Sequence, residues 1–119
     1  MRKIGWIGAG IMGQPMVIHL LNKGYEVHVY ARHPERVEQA KNAGAILEES
    51  IESLTSNVDV ICTMVGFPSD VKEVYDVIFS CIEAGKTCID FTTSSPKLAK
   101  ELYTKGKELG VHVVDAPVT

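Results

Sequence analysis

The chain lacks the features that would place it in a membrane, on a nucleic acid or outside the cell. No apolar run approaches the ~20 residues that a membrane-spanning helix needs. The 12 basic residues are dispersed and the net charge is −3, whereas a nucleic-acid surface needs a concentrated basic face. Met1-Arg2-Lys3 runs directly into a glycine-rich turn, with neither the apolar stretch nor the cleavage site of a secretion signal. Cysteine is scarce: Cys62, Cys81 and Cys88 form no Cys-x-x-Cys pair and are odd in number, so reduced, buried thiols are expected in place of a disulfide or zinc framework. His19, His28, His33 and His112 show no ligand spacing, and no metal is expected. These absences point to a cytoplasmic protein without nucleic-acid or membrane partners.

What is present is an ordinary globular mixture, 45% hydrophobic and 23% charged over 119 residues. A chain of that length is one domain's worth and can bury roughly two-thirds of its unfolded surface. Apolar runs rich in valine and isoleucine occupy 3–7, 27–31, 58–65, 87–91 and 111–116, with a weaker one at 45–47. Most are unalternated, as in parallel strands buried on both faces.

Helical patterns lie between them. Met12, Met16 and Leu20 form a stripe that ends at Gly24; Pro34 opens a second helix, with Val37 and Ala40 inward and Gly44 closing it. A short helix is expected over 50–54. Asp70 and Glu73 have capping-box spacing ahead of Val71, Val74, Tyr75, Ile78 and Ile82, and Ser95 caps a last helix carrying Leu98, Leu102 and Leu109 to Gly110. This alternation predicts an α/β Rossmann fold, a doubly wound parallel sheet of six strands in the order 3-2-1-4-5-6.

The strongest chemical signal is Gly8-Ala9-Gly10-Ile11-Met12-Gly13, a G-x-G-x-x-G between the first strand and the first helix. In such a turn Gly8 permits the tight bend, Gly10 lets a pyrophosphate approach the backbone, and Gly13 lets the helix pack closely on the sheet. The amides near Ile11 and Met12, at the positive end of the helix dipole, would hold the phosphates. The G-x-x-x-x-G-K-[ST] of a P-loop is absent, so the ligand expected is a dinucleotide.

Which dinucleotide is decided at the end of the second strand. An NAD site usually places an acid there to accept from the ribose hydroxyls, but this chain reads Val29-Tyr30-Ala31-Arg32-His33. Glu26 begins the strand, ~16 Å away at ~3.3 Å per residue, and cannot substitute. Arg32 can fork onto a 2′-phosphate. NADP is therefore expected in preference to NAD.

The run from Gly8 to Met16 resembles the G-x-G-x-M-G-x-x-M signature of the β-hydroxyacid dehydrogenases, the family of 3-hydroxyisobutyrate dehydrogenase and, more distantly, 6-phosphogluconate dehydrogenase. Thr63-Met64-Val65, Ile89-Asp90-Phe91-Thr92-Thr93 and Asp115-Ala116-Pro117-Val118-Thr119 are similar to further family motifs. The resemblance implies that Val65 and Gly66 pass beside the cofactor, with glycine at position 66 replacing the commoner proline. It implies that Asp70 lies nearby, that Thr93 approaches the nicotinamide ribose, and that Thr119 begins a loop holding the substrate carboxylate.

Met12 and Met16 would serve equally as core residues and Asp70 and Thr93 as helix-cap or strand-end residues, and for Asp90 and Asp115, at strand ends, solvated or capping roles stand level with chemistry. The family's catalytic lysine, in a G-x-x-x-K-x-x-N setting, has no counterpart in this chain. Residues 1–119 are accordingly expected to be the cofactor domain of a longer, homo-oligomeric enzyme acting on a small hydroxy acid or semialdehyde. The lysine and the helical substrate domain would lie beyond Thr119. An imine reductase cofactor domain and a non-catalytic dinucleotide sensor are the alternatives.

Overall fold

Six short strands carry the fold: β1 (Lys3–Ile7), β2 (Glu26–Tyr30), β3 (Ile46–Leu47), β4 (Val60–Thr63), β5 (Thr87–Asp90) and β6 (His112–Asp115). They are seen in a computed structural model that describes residues 2–8, 13–65, 68–92 and 96–116. All strand pairs are parallel, in the order β3-β2-β1-β4-β5-β6, as the strand–helix alternation requires. The connections are α1 (Gly13–Asn22), a 3-10 turn (Pro34–Val37) leading into α2 (Glu38–Asn42), α3 (Ile51–Asn57), α4 (Pro68–Cys81) and α5 (Pro96–Glu108).

Side-chain alternation along each strand divides the core in two. Ile4, Trp6, Val27, Val29 and Cys62 face α1 and α2, where they bury Val17, Val37 and Ala40. Ile7, Ile61 and Cys88 face the other way, against Leu54 of α3, Val71, Tyr75 and Ile78 of α4, and Leu102 of α5. The expectation of strands buried on both faces holds at the centre of the sheet and fails at its edges. Both residues of β3 are exposed, and in β6 only Val113 is even partly covered. The physical reason lies on α5, where a Cβ on Gly106 would run into Val113, so the helix seats tightly on one face of β6. On the other face Val114 is 46% exposed.

Several boundaries differ from the sequence reading. Pro34 opens a 3-10 turn before the helix proper, and Ser50 stands outside α3 as its N-cap, accepting from the Ser53 amide at 3.0 Å. Helix α4 starts at Pro68, so Asp70 is already its third residue and is not the cap of a capping box. An acid in that first turn is instead favoured by the helix dipole. Ile82 lies just past the end of α4 and is only partly buried. The cap expected at Ser95 falls outside the described residues. Cys62 and Cys88 are buried as expected, whereas Cys81 is only partly so.

Candidate functional site

The carboxyl ends of β1, β2 and β4 converge on Gly8. Its amide donates to the Tyr30 carbonyl at 3.4 Å, and the Met64 amide donates to the Ile7 carbonyl at 2.9 Å. Gly8 has φ of +88°, and a Cβ there would collide with the Met64 carbonyl, so both conformation and space demand glycine. A Cβ on Gly13 would lie 2.8 Å from Trp6 Nε1 and 3.3 Å from the Gly8 carbonyl. The first turn of α1 therefore rests directly on the indole. That is the close helix–sheet packing expected of the third glycine in the turn.

Between the end of β2 and the first turns of α4 lies a cleft of ≈ 450 Å³. Gly8, Tyr30, Arg32, Val65, Asp70 and Glu73 line it, with Ile51, Val74 and Val77 supplying an apolar wall. Arg32 reaches across so that Nη2 is 3.6 Å from Glu73 Oε2. The two side chains are 69% and 71% exposed, so the pair adds little stability and both charged ends remain accessible. This is where an open parallel sheet binds ligands: at the carboxyl edge, beside the switch in strand order between β1 and β4.

Behind the cleft a buried polar chain ties the segment after β4, which lines it, to the segment after β5. Thr63 Oγ1 donates to Asp90 Oδ1 at 2.9 Å and lies 3.1 Å from the Tyr75 hydroxyl. A threonine hydroxyl has one proton, so Tyr75 must be the donor to Thr63. Asp90 Oδ1 also accepts from the Thr92 amide at 3.1 Å, and Thr92 Oγ1 accepts from the Val65 amide at 2.9 Å. The segments after β4 and β5 are thus fixed to each other. Asp90 is 2% exposed, which excludes the solvated role among those weighed from sequence, and its Oδ2 is buried with no partner among the described residues.

Burial raises the Asp90 carboxyl above its ordinary value despite hydrogen bonds from Thr92 and Thr63, and Asp115 adds to the rise. Burial also lifts Tyr75 well above the usual phenol range, keeping it a donor. Cys62 and Cys88 are pushed up to about 12 by burial, so neither thiol is a nucleophile at neutral pH.

Of the residues singled out from sequence, Gly8, Arg32, Val65 and Asp70 line one cleft, while Gly13 sits beneath it against Trp6. Gly10, Ile11, Met12, Gly66, Thr93 and Thr119 lie outside the described residues. Sequence reasoning missed Glu73 as a cleft residue, assigning it to a capping box. The signal available was its place one residue before Val74 and four before Val77, on the helix flank that turns toward β2. The residues fit a nicotinamide dinucleotide. Gly8 offers backbone that a side chain would obstruct, the apolar wall suits an adenine ring, and Arg32 presents a cation at the outer end.

Over residues 3–119 the sequence matches the family described as the NAD binding domain of 6-phosphogluconate dehydrogenase. An oxidoreductase of Bacillus subtilis is 44% identical over 99% of this chain and 42% of its own length. The 2-hydroxy-3-oxopropionate reductase of Escherichia coli is 36% identical over 98% of this chain and 41% of its own. The chain thus spans about two-fifths of the length of these relatives. Among solved structures, 3-hydroxyisobutyrate dehydrogenase of Mycobacterium tuberculosis superposes with a TM-score of 0.94 at 27% identity, over 100% of this chain and 41% of that one. An imine reductase of Myxococcus stipitatus in complex with NADP+ gives 0.87 at 26% identity, over 95% and 39%.

Proposed function

This chain belongs to the family of the NAD binding domain of 6-phosphogluconate dehydrogenase, and on that premise we propose that it is the NADP(H)-holding domain of a β-hydroxyacid dehydrogenase. The observation that carries the finer reading is Arg32, which follows Ala31 where an acid would mark NAD and opens into the cleft. Gly8, Gly10 and Gly13, with the amides of Ile11 and Met12, hold the pyrophosphate in this reading; Arg32 takes the 2′-phosphate. Val65, Gly66 and Asp70 flank the cofactor, and Thr93 meets the nicotinamide ribose. When bound, the nicotinamide would accept a hydride from the carbinol carbon of a small hydroxy acid or, in its reduced form, supply one to the carbonyl carbon of a semialdehyde. The chain's own part is to bind and orient.

The proton at the substrate oxygen falls to a lysine expected beyond Thr119, and Thr119 itself would start the loop that takes the substrate carboxylate. Asp115-Ala116-Pro117-Val118-Thr119 supports an enzyme over a dinucleotide sensor, which has no use for such a loop. The reading carries with it a cytoplasmic, homo-oligomeric parent enzyme. Calorimetric titration of the purified chain tests it. Hydrogen bonds to a charged group contribute ~1.5–3 kcal/mol, so Arg32→Ala should weaken NADPH roughly 10–100-fold and NADH much less. Equal losses with both cofactors would remove the 2′-phosphate from the argument.

A further inference from the structure

Glu73 stands where the cofactor reading does not place an acid. It projects from α4 on the opposite wall of the cleft from β2, and its Oε2 lies 3.6 Å from Arg32 Nη2. Any anion gripped by the outer nitrogens of Arg32 must enter the space this carboxylate faces. The acid usually found at the end of the second strand is meanwhile replaced by Ala31. The site therefore holds both a cation suited to a 2′-phosphate and, from a different element, a carboxylate able to accept from a ribose hydroxyl.

We infer that Glu73 is the residue that sets the ratio of NADPH to NADH binding, an inference that rests on the cofactor reading above. With NADPH, Glu73 contends with the 2′-phosphate for Arg32 and repels it. With NADH, no phosphate displaces the acid, which accepts the adenosine 2′-hydroxyl while Arg32 holds it in place. The domain accepts both dinucleotides, with a preference narrower than Arg32 alone would give. Glu73 acts here as the acid absent from β2, delivered across the cleft by α4.

The test is the ratio of the NADPH and NADH dissociation constants of the purified chain, measured by calorimetry for the parent and for Glu73→Gln. The side chain is 71% exposed, so the substitution should leave the melting temperature unchanged. Removing a unit charge ~4–6 Å from the phosphate should tighten NADPH about fivefold. Loss of a charged acceptor should weaken NADH about five- to tenfold. The ratio should thus widen by well over tenfold, and the NADPH gain should shrink at high salt, as screening of exposed charges requires. A ratio unchanged within a factor of two, or one moved toward NADH, would overturn the inference. Arg32→Ala, titrated in parallel, separates the two readings. If it discriminates between the cofactors while Glu73→Gln does not, only the role of Glu73 fails. If Arg32→Ala does not discriminate, the NADP reading fails and this inference falls with it.

Discussion

Two polar clusters lie on the same face of the sheet and solve opposite problems. Beside β2, the His28 ring, 8% exposed, has Nδ1 2.6 Å from Glu48 Oε2 and Nε2 2.7 Å from Glu26 Oε2. Glu48 accepts further hydrogen bonds from Ser53 Oγ at 2.8 Å and Asn57 Nδ2 at 3.1 Å. At the ends of β4 and β5, by contrast, Asp90 has one oxygen left unpaired among the described residues. The first cluster is closed on itself and fastens α3 to the sheet. The second leaves a polar group unanswered beneath a cleft. Under-partnered groups gather where a fold serves a ligand instead of its own stability.

The contrast can be broken most sharply at His28. Replacing it with leucine leaves Glu48, whose side chain is only 10% exposed, without one of its hydrogen-bond partners. His28→Leu should therefore cost about 3 kcal/mol in urea unfolding at neutral pH, the cost of leaving a buried carboxylate under-bonded. A loss below ~1 kcal/mol would show that the remaining donors suffice. Thr63→Val cuts the other cluster at its centre, depriving Asp90 Oδ1 of one donor and the Tyr75 hydroxyl of its acceptor. The same unfolding assay should show a loss of ~2 kcal/mol.

The smallest effect sharpens the comparison through pH. Burial alone would raise Glu48, but hydrogen bonds from Asn57, His28 and Ser53 together hold it below its ordinary 4.5. Its stabilisation is present above pH 4.5 and is lost as pH falls through the lowered folded value. Asp90 runs the other way. With its folded value raised above 3.8, its ionisation erodes stability as pH rises through that value. Asp90→Asn keeps the acceptor for Thr63 and cannot ionise, so it should melt slightly above the parent at neutral pH, by about 1 kcal/mol or less. That advantage should fade in acid, whereas Glu48→Gln should lose its deficit there. Parallel slopes for the two variants in thermal melts from acid to neutral pH would mean the clusters do not differ in kind.

The order of the sheet was legible because unalternated Val/Ile runs between helical stripes admit few topologies. The bend at Gly8 was legible because a turn leading directly into a helix dictates its own glycines. Two things were not. Boundaries shifted where a 3-10 turn preceded a helix, as at Pro34, or where a proline such as Pro68 started a helix early. Partnerships between distant positions also stayed hidden: Arg32 with Glu73, His28 with Glu48, and Thr63 with Asp90 are separated by 41, 20 and 27 residues. Periodicity carries no information about which polar side chains meet across elements, and the meeting of Arg32 with Glu73 is the one that spans the cleft.

Trp6 is the only tryptophan in the sequence. It is 1% exposed, stacked 5.5 Å from the Phe91 ring, with its Nε1 facing the Cβ-free side of Gly13. The chain therefore contains a single indole, shielded and pressed against the first turn of the helix that follows the glycine-rich loop. Reduced nicotinamide absorbs in the range where a shielded indole emits, and the oxidised form does not. Quenching of Trp6 with sensitised nicotinamide emission would register occupancy by reduced cofactor, and a spectral shift without quenching would register movement of that first turn. Unlabelled protein would distinguish the two in one cuvette.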